Sequence, residues 1–130
     1  MRHRKNRLLE LSTGVQRRDN VVRNLITSLV ANGQIITTIK RGKVLKAEAD
    51  SFFAALLQCY TTYKTEEDAT REIIRRVKAV IFTETEGKKL VRDLLPQWKN
   101  QQRTFGLVSM LKLGPRAGDS AETVVVRLGA

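Results

Sequence analysis

The stretch VRNLITSLVANGQIITTIKRGKVLK, residues 22–46, contains a helix, a strand and the approach to a second helix. Over residues 19–31 the apolar side chains recur at the i, i+1, i+4, i+5 spacing of one helix face. They are Val21, Val22, Leu25, Ile26, Leu29 and Val30. Asp19 or Asn20 is a suitable cap for this helix, and Gly33 is suited to a left-handed stop. Residues 34–39 (QIITTI) are short and β-branched, which predicts a strand.

Further along the chain, the basic residues around Gly42 predict a turn that leads into a second helix over about residues 43–63. Its stripe includes Phe52, Phe53 and Tyr60 at helical spacing, so these rings belong to a core face. A third helix begins near Thr65, with Asp68 three residues later as a capping-box variant. A fourth spans about residues 86–95, and Pro96 indicates where it ends or bends.

Two strand-like runs at residues 105–113 and 122–128 flank the loop GPRAGDSA and predict a hairpin. The resulting order is α-β-α-α-α-β-β. We therefore predict an α/β (α+β) fold, in which about four helices pack on a small three-stranded mixed sheet. We predict that residues 1–18 form a basic N-terminal arm and that residues 19–130 form a single globular domain, the part expected to bind the polyanionic partner.

Composition narrows the class of protein. The 130 residues include 24 Lys+Arg, 13 Asp+Glu and one His, a net charge of +11. One Cys excludes an intrachain disulfide framework and a Cys-rich zinc site. No apolar run approaches the roughly 20 residues that span a bilayer, and the N-terminal sequence lacks a signal-peptide core. We expect a soluble, intracellular, basic domain whose partner is a polyanion, with no membrane role.

The excess charge is concentrated near the N-terminus. Residues 1–50 contain 11 Lys/Arg and 4 Asp/Glu, a net +7, whereas residues 51–100 and 101–130 contribute +2 each. The first seven residues form a basic tip. Its members are Arg2, His3, Arg4, Lys5 and Arg7. Such a tip becomes ordered on phosphate through counterion release, or it is a solvated chain end.

Enzymatic chemistry finds little support in the sequence. The only imidazole, His3, lies in the arm, and Cys59 lies at the edge of a helical apolar face, where a buried structural thiol is expected. Neither a GxxxxGK[ST] nor a GxGxxG pattern occurs. We expect no catalysis, no cofactor, no metal and no small-molecule substrate. Aromatic residues amount to 5% and show no stacking pattern, so nucleic acid would be bound through phosphate, sugar and shape.

Three motifs occur together: MRHR at the start, RNLxTSLxxxGxIxTT at residues 23–38, and KLGPRxGD at residues 112–119. Over nearly its full length the chain resembles the bacterial-type large-subunit ribosomal protein L seventeen family. The resemblance implies a non-enzymatic structural component of the large ribosomal subunit, bound to large-subunit rRNA beside other ribosomal proteins near the nascent-chain exit region. It implies a bacterial, cytoplasmic ribosome, with a mitochondrial or plastid ribosome as the alternative. Ser109 stands where the family carries a basic residue.

Charge and resemblance together predict rRNA contacts for one set of residues. They are Arg2, His3, Arg4, Lys5, Arg7, Arg17, Arg18, Arg23, Lys40, Arg41, Lys43, Lys46, Lys112 and Arg116. For Arg17, Arg18 and Arg23 the alternative is a solvated helix face. The cations of the third helix have acidic residues upstream at helical spacing, so ion pairing competes with RNA contact there. The alternative function is a free-standing regulatory protein that reads specific bases in nucleic acid.

Overall fold

The computed structural model of the chain describes residues 11, 13–14 and 16–129. The elements in chain order are α1 (Arg18–Asn32), β1 (Gln34–Thr38), α2 (Ile39–Thr62), α3 (Glu66–Val80), α4 (Glu84–Lys89), a π-helical turn (Leu90–Leu94), α5 (Leu95–Asn100), β2 (Val108–Pro115) and β3 (Glu122–Leu128). Because α4, the π turn and α5 form one continuous helical run, the predicted order α-β-α-α-α-β-β is confirmed. The predicted fold class, with about four helices on a three-stranded sheet, is confirmed as well.

The sheet is antiparallel in the described chain, so the expectation of a mixed sheet is wrong. The strand order is β1-β3-β2, and both neighbours of the central strand run opposite to it. A parallel pair would have required β1 to lie beside β2. Instead the hairpin partner β3 takes the middle position and separates them.

The two ends of α1 differ in how well their sequence signals predict them. Gly33 has φ 79° and its N–H donates to the Leu29 carbonyl at 2.8 Å, which confirms the predicted left-handed stop. The N-terminal cap is Arg17, which makes no side-chain capping bond. Asp19 therefore lies inside the first turn, where its charge favours the positive end of the helix dipole.

Helix α2 begins at Ile39, about four residues earlier than the sequence indicates. The reason is Gly42, which is buried within the helix rather than placed in a turn. A Cβ at Gly42 would come within 2.3 Å of Val124 Cγ2, so α2 lies closer to the sheet here than any other residue would allow. The cations predicted for a basic turn consequently project from the first turns of a helix.

The last helical run continues past Pro96 to Asn100, so the helix does not end there as the proline suggested. The proline is accommodated instead by the π-helical turn that precedes it, in which the helix is locally wider. The Leu95 N–H donates to the Leu90 carbonyl, five residues back. Proline has no N–H to give and its ring crowds the carbonyl four residues earlier, and a π turn relieves that crowding. The continuation buries Trp98, whose ring centroid lies 5.2 Å from that of Phe53.

One apolar cluster joins the helices to the inner face of the sheet. Its fully buried members include Leu29, Phe53, Leu56, Ile73 and Val124. Cys59 is buried as well, in agreement with a structural thiol. Leu11, which falls within the predicted arm, is 8% exposed and belongs to this cluster. The division at residues 18 and 19 stays a prediction. In the described part of the chain, each helix is too short or too polar to cross a membrane.

Candidate nucleic-acid interface

The sheet register brings two basic segments to the same end of the molecule. Thr38, the last residue of β1, is paired with Thr123, which in turn is paired with Gly114 near the end of β2. Helix α2 starts directly after Thr38, and the hairpin loop connects Pro115 to Glu122. The first turns of α2 and the hairpin loop therefore lie at the same end of the sheet, one beyond each of its two edge strands. We call this surface the basic end; its predicted RNA contacts are Lys40, Arg41, Lys43, Lys46, Lys112 and Arg116.

The start of α2 is the most electropositive part of the basic end. All four of its cations are exposed, and no acidic residue lies in the first turn. Arg41, Lys43 and Lys46 make no ion pair with any described residue. The N-terminal cap, Thr38, makes no side-chain capping bond. Backbone N–H groups and the dipole of a 24-residue helix thus add to the side-chain charge.

The hairpin loop contributes less free charge than its sequence suggests. The Arg116 guanidinium donates two hydrogen bonds to the Asp119 carboxylate, each 2.7 Å long. Asp119 also accepts from the Ala121 N–H at 3.1 Å, and together these donors hold its pKa well below the usual range. Arg116 therefore shapes the loop while its side chain stays 53% exposed. Lys112 is exposed beside an irregularity in the β2 register and has no ion-pair partner among the described residues.

Arg23 lies in a different setting from the other predicted contacts. Its Nε donates to the Val80 carbonyl at 3.1 Å, and its guanidinium carbon lies 4.0 Å from the centroid of the Phe82 ring. Arg23 thus connects α1 to the end of α3, which differs from the solvated helix face offered as its alternative. Arg17 is exposed and Arg18 half-buried at the start of α1. The arm cations Arg2, His3, Arg4, Lys5 and Arg7 lie outside the described residues.

The cations of α3 are mostly engaged in ion pairs, as one of the two sequence readings expects. Arg75 and Arg76 contact the Glu72 carboxylate at 2.5 and 2.8 Å, and Arg71 lies 4.0 Å from Asp68. Hydrogen bonds from Arg75 and then Arg76 lower the pKa of Glu72 to about 2. This face of α3 is therefore largely neutralised, in contrast to the start of α2.

Sequence reasoning did not single out Arg127, an exposed cation in the central strand. The alternation of β3 places it on the outer face of the sheet, opposite to buried Val124 and Val126. It is paired in register with Gln34 and Ser109 and has no ion-pair partner among the described residues. The ETVVVRL alternation contains this signal. The described residues hold no group of three or more His, Cys, Asp or Glu side chains that could bind a metal.

Comparison with known proteins identifies the family of the chain. The family model for ribosomal protein L17 matches residues 21–129. The large ribosomal subunit protein bL17 of Carboxydothermus hydrogenoformans is 35% identical over 111 residues, covering 85% of this chain and 88% of that protein. The bL17 of Thermotoga neapolitana is 33% identical over 130 residues, covering 98% and 94%. The chain therefore belongs to the ribosomal protein L17 family, a structural component of the ribosome rather than an enzyme.

Proposed function

We propose that this chain binds large-subunit rRNA through phosphate and shape contacts and thereby stabilises the bacterial large ribosomal subunit. The start of α2 carries the proposal, because exposed cations there surround a helix N-terminus whose first turn contains no acidic residue. The relatives named above are bacterial large-subunit proteins, which supports the same role. By resemblance to the family, its place is on the exit-tunnel side, beside other large-subunit proteins.

Phosphate is the ligand that suits this chemistry. Arg41, Lys43 and Lys46 have no ion-pair partner among the described residues, and the positive end of the α2 dipole adds to their charge. The basic end offers no exposed aromatic ring for base stacking: in the described chain the exposed large apolar side chains on the sheet are Ile36, Leu111 and Leu113. Contacts to the phosphate backbone of RNA fix the position of the protein on the RNA without reading its base sequence.

A salt titration tests the proposal. Binding of the full chain to purified large-subunit rRNA is measured against salt concentration, with duplex DNA as the comparison. Changing Arg41, Lys43 and Lys46 to Gln should reduce the salt slope by roughly 2–3, since each neutralised phosphate contributes about 0.7–0.9. The matched control changes Lys64, Arg71 and Lys88 to Gln, which removes the same charge from other exposed positions.

The control variant should retain most of the salt slope. Equal losses in the two variants would show that net charge, and not the start of α2, drives binding. Equal affinity of the unmodified chain for duplex DNA and rRNA would favour the regulatory nucleic-acid binder instead.

The basic N-terminal segment is included in the proposal as a second contact. Deletion of residues 1–7 removes Arg2, Arg4, Lys5 and Arg7 together with His3. We expect lower incorporation into large subunits, with the circular dichroism of the purified chain unchanged. Incorporation equal to that of the full chain would remove the segment from the interface.

A further inference from the structure

A groove of about 580 Å³ lies between α3 and α4, separate from the basic end. Its floor is formed by Val77, Ile81 and Val91, and two further apolar side chains line it while remaining open to solvent. These are Ile74, 38% exposed, and Phe82, 45% exposed. We call this surface the α3–α4 groove. Its volume is within the range of sites that bind ligands or peptide side chains.

The wall of the groove is held in place by α1. Arg23 stacks on the Phe82 ring at 4.0 Å, and the Phe82 N–H donates to Thr27 Oγ1 at 3.3 Å. On the opposite side Gly87 lets α4 approach α3, since a Cβ there would lie 3.3 Å from Val77 Cγ1. These contacts keep the apolar side chains apart and prevent them from collapsing onto one another, so the groove is preformed.

The rim of the groove is positively charged. Lys88 is paired with Glu84 at 3.1 Å, which leaves Lys78 and Arg92 as lining cations with no ion-pair partner in the described chain. An occupant with acidic groups beside apolar side chains would match both features. An amphipathic helix presents this combination when its apolar residues recur at i, i+3, i+4 and i+7.

We propose that the α3–α4 groove binds an acidic, amphipathic segment of a neighbouring large-subunit protein. An extruded RNA base suits the groove less well. A base needs an open aromatic or guanidinium plane and polar partners for its edge. Here Arg23 already covers one face of Phe82, the floor is aliphatic, and the Thr83 hydroxyl is bonded to Glu86, which leaves only the rim cations as polar partners for a base. The inference rests on the proposed function, because the chain contacts this partner only when both are assembled in the large subunit.

Site-specific photocrosslinking in the assembled subunit tests the inference. The full chain is expressed in bacterial cells with p-benzoylphenylalanine in place of Ile74, and large subunits are isolated and irradiated. The control carries the same group in place of Phe105, which is 78% exposed and does not line the groove. We expect the Ile74 probe to crosslink to one protein through an acidic, amphipathic peptide. The Phe105 probe should not reach that peptide.

Charge reversal makes the test specific for the rim. Lys78→Glu with Arg92→Glu should lower the crosslink yield about tenfold, because two attractive contacts become repulsive. Lys64→Glu with Arg71→Glu is the matched control and should leave the yield unchanged.

Three results would overturn the inference: a crosslink to rRNA, no crosslink in subunits that contain the chain, or equal loss of yield in the two charge-reversed variants. Absence of the unmodified chain from large subunits would overturn the proposed function together with the inference. The sedimentation profile therefore distinguishes the two failures.

Discussion

Gly42→Ala should destabilise the chain although it replaces glycine by the best helix former within a helix. The added Cβ would lie 2.3 Å from Val124 Cγ2, 1.1 Å short of the 3.4 Å at which ordinary contact begins. Val124 is fully buried in the central strand, and its β-branched side chain has little rotamer freedom. Overpacking of this kind costs about 1–3 kcal/mol, and the helix-propensity gain of nearly 1 kcal/mol offsets only part of it. We expect a net loss of up to about 2 kcal/mol.

The Val124→Ala background separates this clash from other causes. Removing both Cγ atoms should by itself cost about 2 kcal/mol in lost burial and a residual cavity. In that background the nearest other side-chain atoms to the new Cβ at position 42 are the Met110 sulfur at 3.4 Å and Val126 Cγ2 at 3.6 Å, both ordinary contacts. Gly42→Ala should therefore become neutral or stabilising by up to about 1 kcal/mol, a coupling of about 2 kcal/mol.

Urea unfolding at constant salt measures both effects, with far-UV circular dichroism and Trp98 fluorescence as independent probes. Gly87→Ala is the control for a milder approach, because its Cβ would meet Val77 Cγ1 at 3.3 Å, a contact relieved by a shift of a few tenths of an ångström. The tight contact and the gain in helix propensity oppose each other, so the free energy of unfolding should change by less than about 1 kcal/mol. If Gly42→Ala costs the same with Val124 and with Ala at position 124, the close approach of α2 to the sheet is not the reason for glycine at this position.

Three further predictions concern single contacts. The Thr65 hydroxyl accepts a hydrogen bond from the Asp68 N–H at 3.3 Å and caps α3. Thr65→Ala should therefore lower the free energy of unfolding in urea by about 1 kcal/mol, and Thr65→Ser by much less. Equal losses in the two variants would exclude capping as the reason. The pKa of Glu72 is lowered to about 2, so the ionised carboxylate contributes its full stabilisation above the unfolded-state pKa near 4.5 and loses it as the pH falls towards 2. In the Glu72→Gln variant the free energy of unfolding should therefore vary less with pH over that range. A Glu72 carboxyl that titrates near 4.5 by NMR would contradict this prediction. Arg23→Met should lower stability by about 1–2 kcal/mol through the lost Val80 bond and Phe82 contact, whereas Arg71→Met should change it by less than about 0.5 kcal/mol.

Local chemistry explains what the sequence predicted well. The Thr65 cap, the Gly33 stop and the bounds of β3 all depend on residues within a few positions of the feature itself. The motif-bearing cations at the start of α2 are exposed as expected. These signals are readable because a cap or a strand alternation is decided by backbone geometry and by near neighbours along the chain.

Non-local contacts explain where the prediction was wrong. The KRGK sequence at residues 40–43 is typical of a turn, but Gly42 lies within a helix. Because it has no side chain, the helix can pack directly against Val124, which is more than 80 residues away in the sequence. Pro96 similarly indicates a helix end, while the burial of Trp98 against Phe53 favours continuation. The strand order is also decided by non-local contacts. The sheet is antiparallel because β1 pairs with β3, which lies far from it in the sequence.

We base the proposed rRNA interface on which cations are available for phosphate, and not on how many there are. Arg71, Arg75 and Arg76 on α3 and Arg116 in the hairpin are each paired with a carboxylate, so part of their attraction for phosphate is cancelled within the molecule. The start of α2 has no acidic residue in its first turn, and the contact of Gly42 with the sheet fixes it to the core. Because the helix backbone is already ordered, binding restricts only the side chains of these cations, whereas a paired arginine must also give up its carboxylate. The surface that we propose for rRNA is therefore the start of α2, where Arg41, Lys43 and Lys46 have no ion-pair partner among the described residues and lie on a helix fixed to the core.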